Sequence, residues 1–123
     1  MARFLVVDDA KFMQTLTEKL LLKMGHEIPH KASNGLEALE YYGEHWSTID
    51  VVLLDVVMPK FDGLQTLRQL RQINPAVKII MVTSISSQNI VMGAMKAGAS
   101  EFITKPFRLS EFARAVNKIL TTK

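Results

Sequence analysis

Apolar positions along the chain fall into two alternating patterns. Unbroken runs at Phe4-Leu5-Val6-Val7, Val51-Val52-Leu53-Leu54 and Val77 to Val82 have the length and branched content of strands buried on both faces. A weaker run spans His26 to Ala32, where Pro29 points to a sheet edge, and a short one sits at Phe102-Ile103. Between them apolar residues recur at helical spacing. Phe12, Leu16 and Leu20 form one stripe of the first helix, and Met13, Leu21 and Met24 form another, with Gly25 as its stop. Asn34-Gly35 opens a second helix with Leu36, Leu39 and Tyr42, and Leu64, Leu67 and Leu70 pattern a third that ends near Asn74-Pro75. Ser86 or Ser87 caps a fourth that reaches about Ala97, with Gly98 beyond it. Leu109, Phe112, Val116 and Ile119 pattern the fifth. Met58-Pro59 and Asp62-Gly63 mark a loop with turn chemistry.

Five strand-helix units in succession predict an α/β fold with a mostly parallel sheet covered on both faces. Five strands do not make a usual closed barrel, so an open doubly wound sheet is expected. No linker, low-complexity tract or strong repeat divides the chain, and residues 1–123 read as one domain without an output domain.

Composition narrows the function classes. With 48% hydrophobic and 22% charged residues the chain can build a core without metal or disulfide staples. It contains no cysteine, which removes thiol chemistry and suits a cytoplasmic setting. The first apolar run is too short for a signal peptide and no stretch has the length of a membrane span. The formal charge of +3 comes from Lys and Arg scattered from Arg3 to Lys123, without the basic block or reading helix that nucleic-acid binding wants. His26, His30 and His45 lack metal-ligand spacing and read as surface or edge residues. The methionines read as core, and Trp46 is expected to pack between the second helix and the third strand.

In open α/β sheets ligands bind beyond the carboxyl ends of the strands. Asp8 and Asp9 follow the first strand, Asp55 the third, Thr83 and Ser84 the fourth, and Lys105-Pro106 the fifth. Each alone has a plain structural reading: helix capping for Asp8-Asp9, a turn for Asp55, a cap for Thr83, a solvated amine for Lys105. Their convergence on one rim has a single chemical meaning. Three crowded carboxylates repel unless a cation lies between them, and an all-oxygen donor set suits Mg2+. An ionised Asp55 can then attack phosphorus, while metal, ammonium and hydroxyl each take one equatorial oxygen of the transferring group.

At this point the sequence resembles the response-regulator receiver domains of two-component signalling. The segments FLVVDDAKFM, VVLLDVVMPKFDG, IIMVTS and FITKPF carry the likeness, which covers essentially the whole chain. The stand-alone, CheY-like type is the most similar. The resemblance implies a flavodoxin-like fold with five helices and a five-stranded sheet of order 2-1-3-4-5. That order is the documented one for flavodoxin and CheY, so it is taken over rather than derived.

It further implies that Asp55 is phosphorylated by a sensor histidine kinase through a phosphohistidine. Asp9, Asp55 and the backbone carbonyl of Val57 would ligate Mg2+, with Asp8 acting through a bound water. Lys105 and Thr83 would bond the phosphoryl group, and a cis Lys105–Pro106 peptide is expected. Thr83 would couple to Phe102, where many relatives carry Tyr, so no hydroxyl is offered to a partner there. A downstream protein would dock on the face of the fourth helix, fifth strand and fifth helix, near Lys96 and Arg108. The chain would be a monomer or a phosphorylation-dependent dimer. Val57 and Ile85, both apolar, would position attacking water poorly and give a long-lived phosphorylated form. Chemotaxis and a phosphorelay intermediate are both open as pathways.

Two rival functions have sequence tests. A magnesium phosphatase of the haloacid-dehalogenase type wants a second aspartate two residues after its nucleophile, but Val57 follows Asp55 and Ala10 follows Asp8 at that spacing. A signalling phosphoacceptor rather than an enzyme of sustained turnover is therefore expected. A binding module without phosphorylation would lack one of the acidic pair, the acceptor or the lysine, and all are present.

Overall fold

In the computed structural model, which describes residues 1–55, 63–83 and 88–121, β1 (Arg3–Val7), β2 (Glu27–Ala32), β3 (Val51–Asp55), β4 (Lys78–Thr83) and β5 (Glu101–Thr104) make one parallel sheet. Its order is β2-β1-β3-β4-β5, the flavodoxin-like doubly wound arrangement expected from the resemblance. Between the strands lie α1 (Lys11–Lys23), α2 (Gly35–His45), α3 (Gly63–Ile73) and α4 (Gln88–Lys96), and α5 (Leu109–Thr121) follows β5. Met58-Pro59, Asp62, Ser86 and Ser87 lie outside the described residues. No helix among the described residues is long and apolar enough to cross a membrane.

Side chains of the central strands divide by parity. Leu5, Val7, Val52, Leu54, Ile79 and Met81 join Ala38 and Tyr42 of α2, Leu67 and Leu70 of α3 and Ala94 of α4 on one face. Phe4, Val6, Val51, Leu53, Ile80 and Val82 join Leu21 of α1 and Phe112, Val116 and Ile119 of α5 on the other. Each fully buried aliphatic side chain stabilises by roughly 1.5–3 kcal/mol relative to exposure, which is why these strands read as continuous apolar runs. β2 is an edge strand, as Pro29 suggested. Its pairing shifts register between Arg3 opposite Glu27 and Leu5 opposite His30, so Phe4 faces both Ile28 and Pro29.

The helix ends follow their sequence signals. Asn34 caps α2 by accepting from the Glu37 amide at 2.9 Å, and the Glu37 carboxylate accepts in return from Asn34 Nδ2 at 3.1 Å. Gly25 (φ +88°) ends α1 and Gly98 (φ +109°) follows α4, each in the left-handed conformation that glycine reaches without a Cβ penalty. The Arg71 side chain of α3 lies in the space that a Cβ on Gly98 would need.

Four expectations change. Phe12 is 77% exposed, because the inward face of α1 is carried by Gln14, Thr17 and Leu21. Leu36 and Leu109 stand at helix starts beyond the sheet and are about half exposed. Met92 and Met95 on α4 are also exposed, so not every methionine is core. Trp46 opens a short 3-10 turn (Trp46–Thr48) and is 47% exposed rather than packed between α2 and β3.

Candidate functional site

Asp8 ends the pairing of β1, Asp55 closes β3, Thr83 closes β4 and Lys105 follows β5. Parallel register puts all four at one rim. Asp8 and Asp55 are buried, and the floor beneath them is lined by Met13 and Thr17 of α1 with Phe107 and Phe112. The Lys105 ammonium lies between the two acids, donating to Asp8 Oδ2 at 3.0 Å and to Asp55 Oδ2 at 3.3 Å. Its own backbone amide donates to the Thr83 carbonyl at 2.6 Å, which fixes where the side chain starts. The Lys105–Pro106 peptide is cis.

Burial is the largest single influence on the Lys105 ammonium and would lower its pKa. The hydrogen bonds and negative charges of Asp8 and Asp55 together outweigh it, so the pKa is raised above the ordinary lysine value.

Asp9 is exposed, yet one carboxylate oxygen each of Asp8, Asp9 and Asp55 can lie within 4.8 Å of one another. This is the group of acidic or imidazole side chains that could hold a metal among the described residues. Oxygen donors and excess negative charge fit a hard divalent cation such as Mg2+. The capping reading of the acidic pair fails: the N-cap of α1 is Ala10, which has no side-chain cap bond. Asp8 Oδ1 instead accepts from the Ala10 amide at 2.9 Å, tightening the turn that carries the pair.

Thr83 is fully buried at the end of β4, opposite Thr104. Phe102, half-buried on β5, packs with the cluster on the α3 and α4 side, and Thr83 shares the strand parity of Ile79 and Met81 on that side. The two residues that the resemblance couples thus share a sheet face with α4. Val57 and Ile85 lie outside the described residues. Sequence reasoning missed Gln14, a buried polar residue beneath the acidic pair. The available signal was its place seven residues before Leu21 and three before Thr17, on the inward face of α1.

An open parallel sheet with a carboxylate-ammonium cluster at its carboxyl rim is the arrangement the resemblance implied. The chain belongs to the response regulator receiver domain family, whose model matches residues 4–117. It is similar to the chemotaxis protein CheY of Bacillus subtilis, with 41% identity over 118 residues that cover 96% of this chain and 97% of that one. The chemotaxis protein CheY of Thermotoga maritima is 39% identical over 117 residues, covering 95% and 96%. Among solved structures, the CheX-CheY-BeF3-Mg complex of Borrelia burgdorferi superposes with a TM-score of 0.95 at 28% identity, covering 98% of this chain and 90% of that one. A receiver domain protein of Clostridium thermocellum gives 0.91 at 32% identity, covering 98% and 94%.

Proposed function

We propose that the chain is the phosphoacceptor of a two-component pathway. A phosphoryl group passes from a phosphohistidine of a sensor histidine kinase to Asp55, and the α4-β5-α5 face then changes its hold on a protein target. The observation that carries this is the Lys105 ammonium held between Asp8 and Asp55, at the rim where Asp9 also converges. Asp8, Asp9, Asp55 and the Val57 carbonyl would hold Mg2+, Asp8 through a water. Bound Mg2+ neutralises charge on the acceptor carboxylate and the phosphoryl oxygens.

The chain's own groups do the rest. An Asp55 carboxylate oxygen forms the new O–P bond as the donor's N–P bond breaks, and the imidazole keeps the electron pair. Lys105 leaves its pairing with Asp55 to bond one phosphoryl oxygen, and the Thr83 hydroxyl donates to another. Inward movement of Thr83 opens room for Phe102 on the same face. Its aromatic edge carries no hydroxyl, so the target surface it meets is apolar. The likeness to chemotaxis proteins of two bacteria supports a chemotaxis role and a cytoplasmic location. Val57 in place of an acid-base aspartate supports signalling, with slow self-hydrolysis, over turnover.

Acetyl phosphate with Mg2+ tests the proposal by intact mass. The expected result is one added phosphoryl group, mapped to Asp55, lost in Asp55→Asn and lost with EDTA. A folded protein that gains no phosphate mass from any small-molecule donor in Mg2+ refutes it.

A further inference from the structure

Gln14 is 6% exposed, yet its side chain is spent on backbone rather than on solvent. Its Nε2 donates to the Asp8 carbonyl at 2.6 Å, and lies 3.2 Å from the Ala32 carbonyl and 3.3 Å from Ser33 Oγ. The Asp8 amide donates to the same Ala32 carbonyl at 3.0 Å. Asp8 is therefore clamped from both ends of its residue: its N–H by β2, its C=O by α1.

The two acids differ in what else holds them. The Asp8 carboxylate is fixed by the Ala10 amide and the Lys105 ammonium. Asp9 is exposed, and its carboxylate has no hydrogen-bond partner among the described residues. Its aim is therefore set by the backbone it hangs from. The Asp8–Asp9 peptide is planar, so holding the Asp8 oxygen also sets the direction of the Asp9 N–H and the start of its side chain.

We propose that Gln14 is a positioning residue for the acidic pair: by fixing the Asp8 carbonyl it aims Asp9 at the cation that Asp8, Asp9 and Asp55 share. The inference rests on the metal reading of the site. Burying a carboxamide costs free energy that an apolar residue would not, and the bond to Asp8 is what offsets that cost. Groups that orient metal ligands typically change affinity about 10–100-fold when lost. With one exposed ligand affected, the lower end applies.

The test compares Gln14→Met, which keeps volume and removes the donor, with Leu21→Ala, which opens a cavity lower on the same helix. Mg2+ dissociation constants come from calorimetry on folded, unphosphorylated protein, and exchange of the Ala10 amide is followed in EDTA. The expected result is Mg2+ binding weakened about 10-fold and faster Ala10 exchange in Gln14→Met, against unchanged Mg2+ binding in a destabilised Leu21→Ala. If Gln14→Met does not fold, Gln14→Ala, which admits water to the two carbonyls, is read in the same way. A folded Gln14 variant that binds Mg2+ within twofold of the wild type overturns the positioning role alone. A wild-type protein that binds no Mg2+ overturns the metal reading with it.

Discussion

Replacing Lys105 by Met removes the cation and keeps the side chain as far as Cε. In the native protein the ammonium stands 3.0 Å from Asp8 and 3.3 Å from Asp55, with the lysine side chain 17% exposed and the two acids 9% and 10%. At an effective dielectric near 20, each contact is worth about 5 kcal/mol before desolvation. Burial of the ammonium takes back much of that, and breaking a buried pair by removing one member costs about 3–5 kcal/mol. The rim position places Lys105→Met at the lower end, about 3 kcal/mol. Urea unfolding in EDTA at neutral pH measures it. The deficit should shrink in Mg2+, which takes the same oxygens, so the variant gains more stability from the metal than the wild type does. A variant as stable as the wild type in EDTA, or a deficit that ignores Mg2+, would refute the reasoning.

Other outcomes follow from single contacts. His26 has its pKa lowered from 6.5 by burial first and by the positive N-terminal amine second, and its Nδ1 accepts from the Ala2 amide at 3.0 Å. The stability it contributes is complete above 6.5 and declines as the pH falls toward the lowered folded value, so the urea midpoint should drop over that window and drop less in His26→Asn. The raised pKa of Lys105 has the opposite sign: its contribution is in place below the ordinary lysine range and is lost as the pH climbs through the folded value, read as an alkaline fall in midpoint. Gly98→Ala should destabilise by about 1–3 kcal/mol, since φ is +109° and Arg71 fills the space, whereas Gly43→Ala, on an open stretch of α2, should stabilise by about 0.5–1 kcal/mol in thermal melts. Val57→Asn should shorten the lifetime of the Asp55 acyl phosphate measured by mass decay, and equal or slower loss would remove the apolar-shield argument.

The strands were legible because burial on both faces leaves nothing to alternate: Val51 to Leu54 are apolar whichever way they point. Asp8, Asp55 and Thr83 were legible for the same reason, being the first polar groups after their runs, whereas Lys105 stands one residue further on, behind Thr104. The order of the strands was not, because periodicity says nothing about neighbours, and it came from the family likeness. Helix faces were half legible. On α1 the period allows two apolar stripes, and the inward face turned out to be Leu21 with the polar Gln14 and Thr17, while Phe12 turned outward. A polar residue can win an inward position when a strand-end carbonyl needs a donor, which no hydropathy pattern records. Trp46 was misplaced because a half-exposed turn can hold an aromatic ring as readily as a core can. It lies before β3, at the opposite end of that strand from Asp55.

The register shift at Ile28 and Pro29 reaches beyond β2 itself. The outer margin of a sheet invites a foreign chain to lie alongside it, and a kink with a missing amide donor spoils that template. Past the kink the pairing recovers in time to set Ala32 against Val7. One extra residue thus separates two duties: a roughened flank that discourages stacking of copies strand to strand, and an orderly inner end that delivers a carbonyl to the acidic loop.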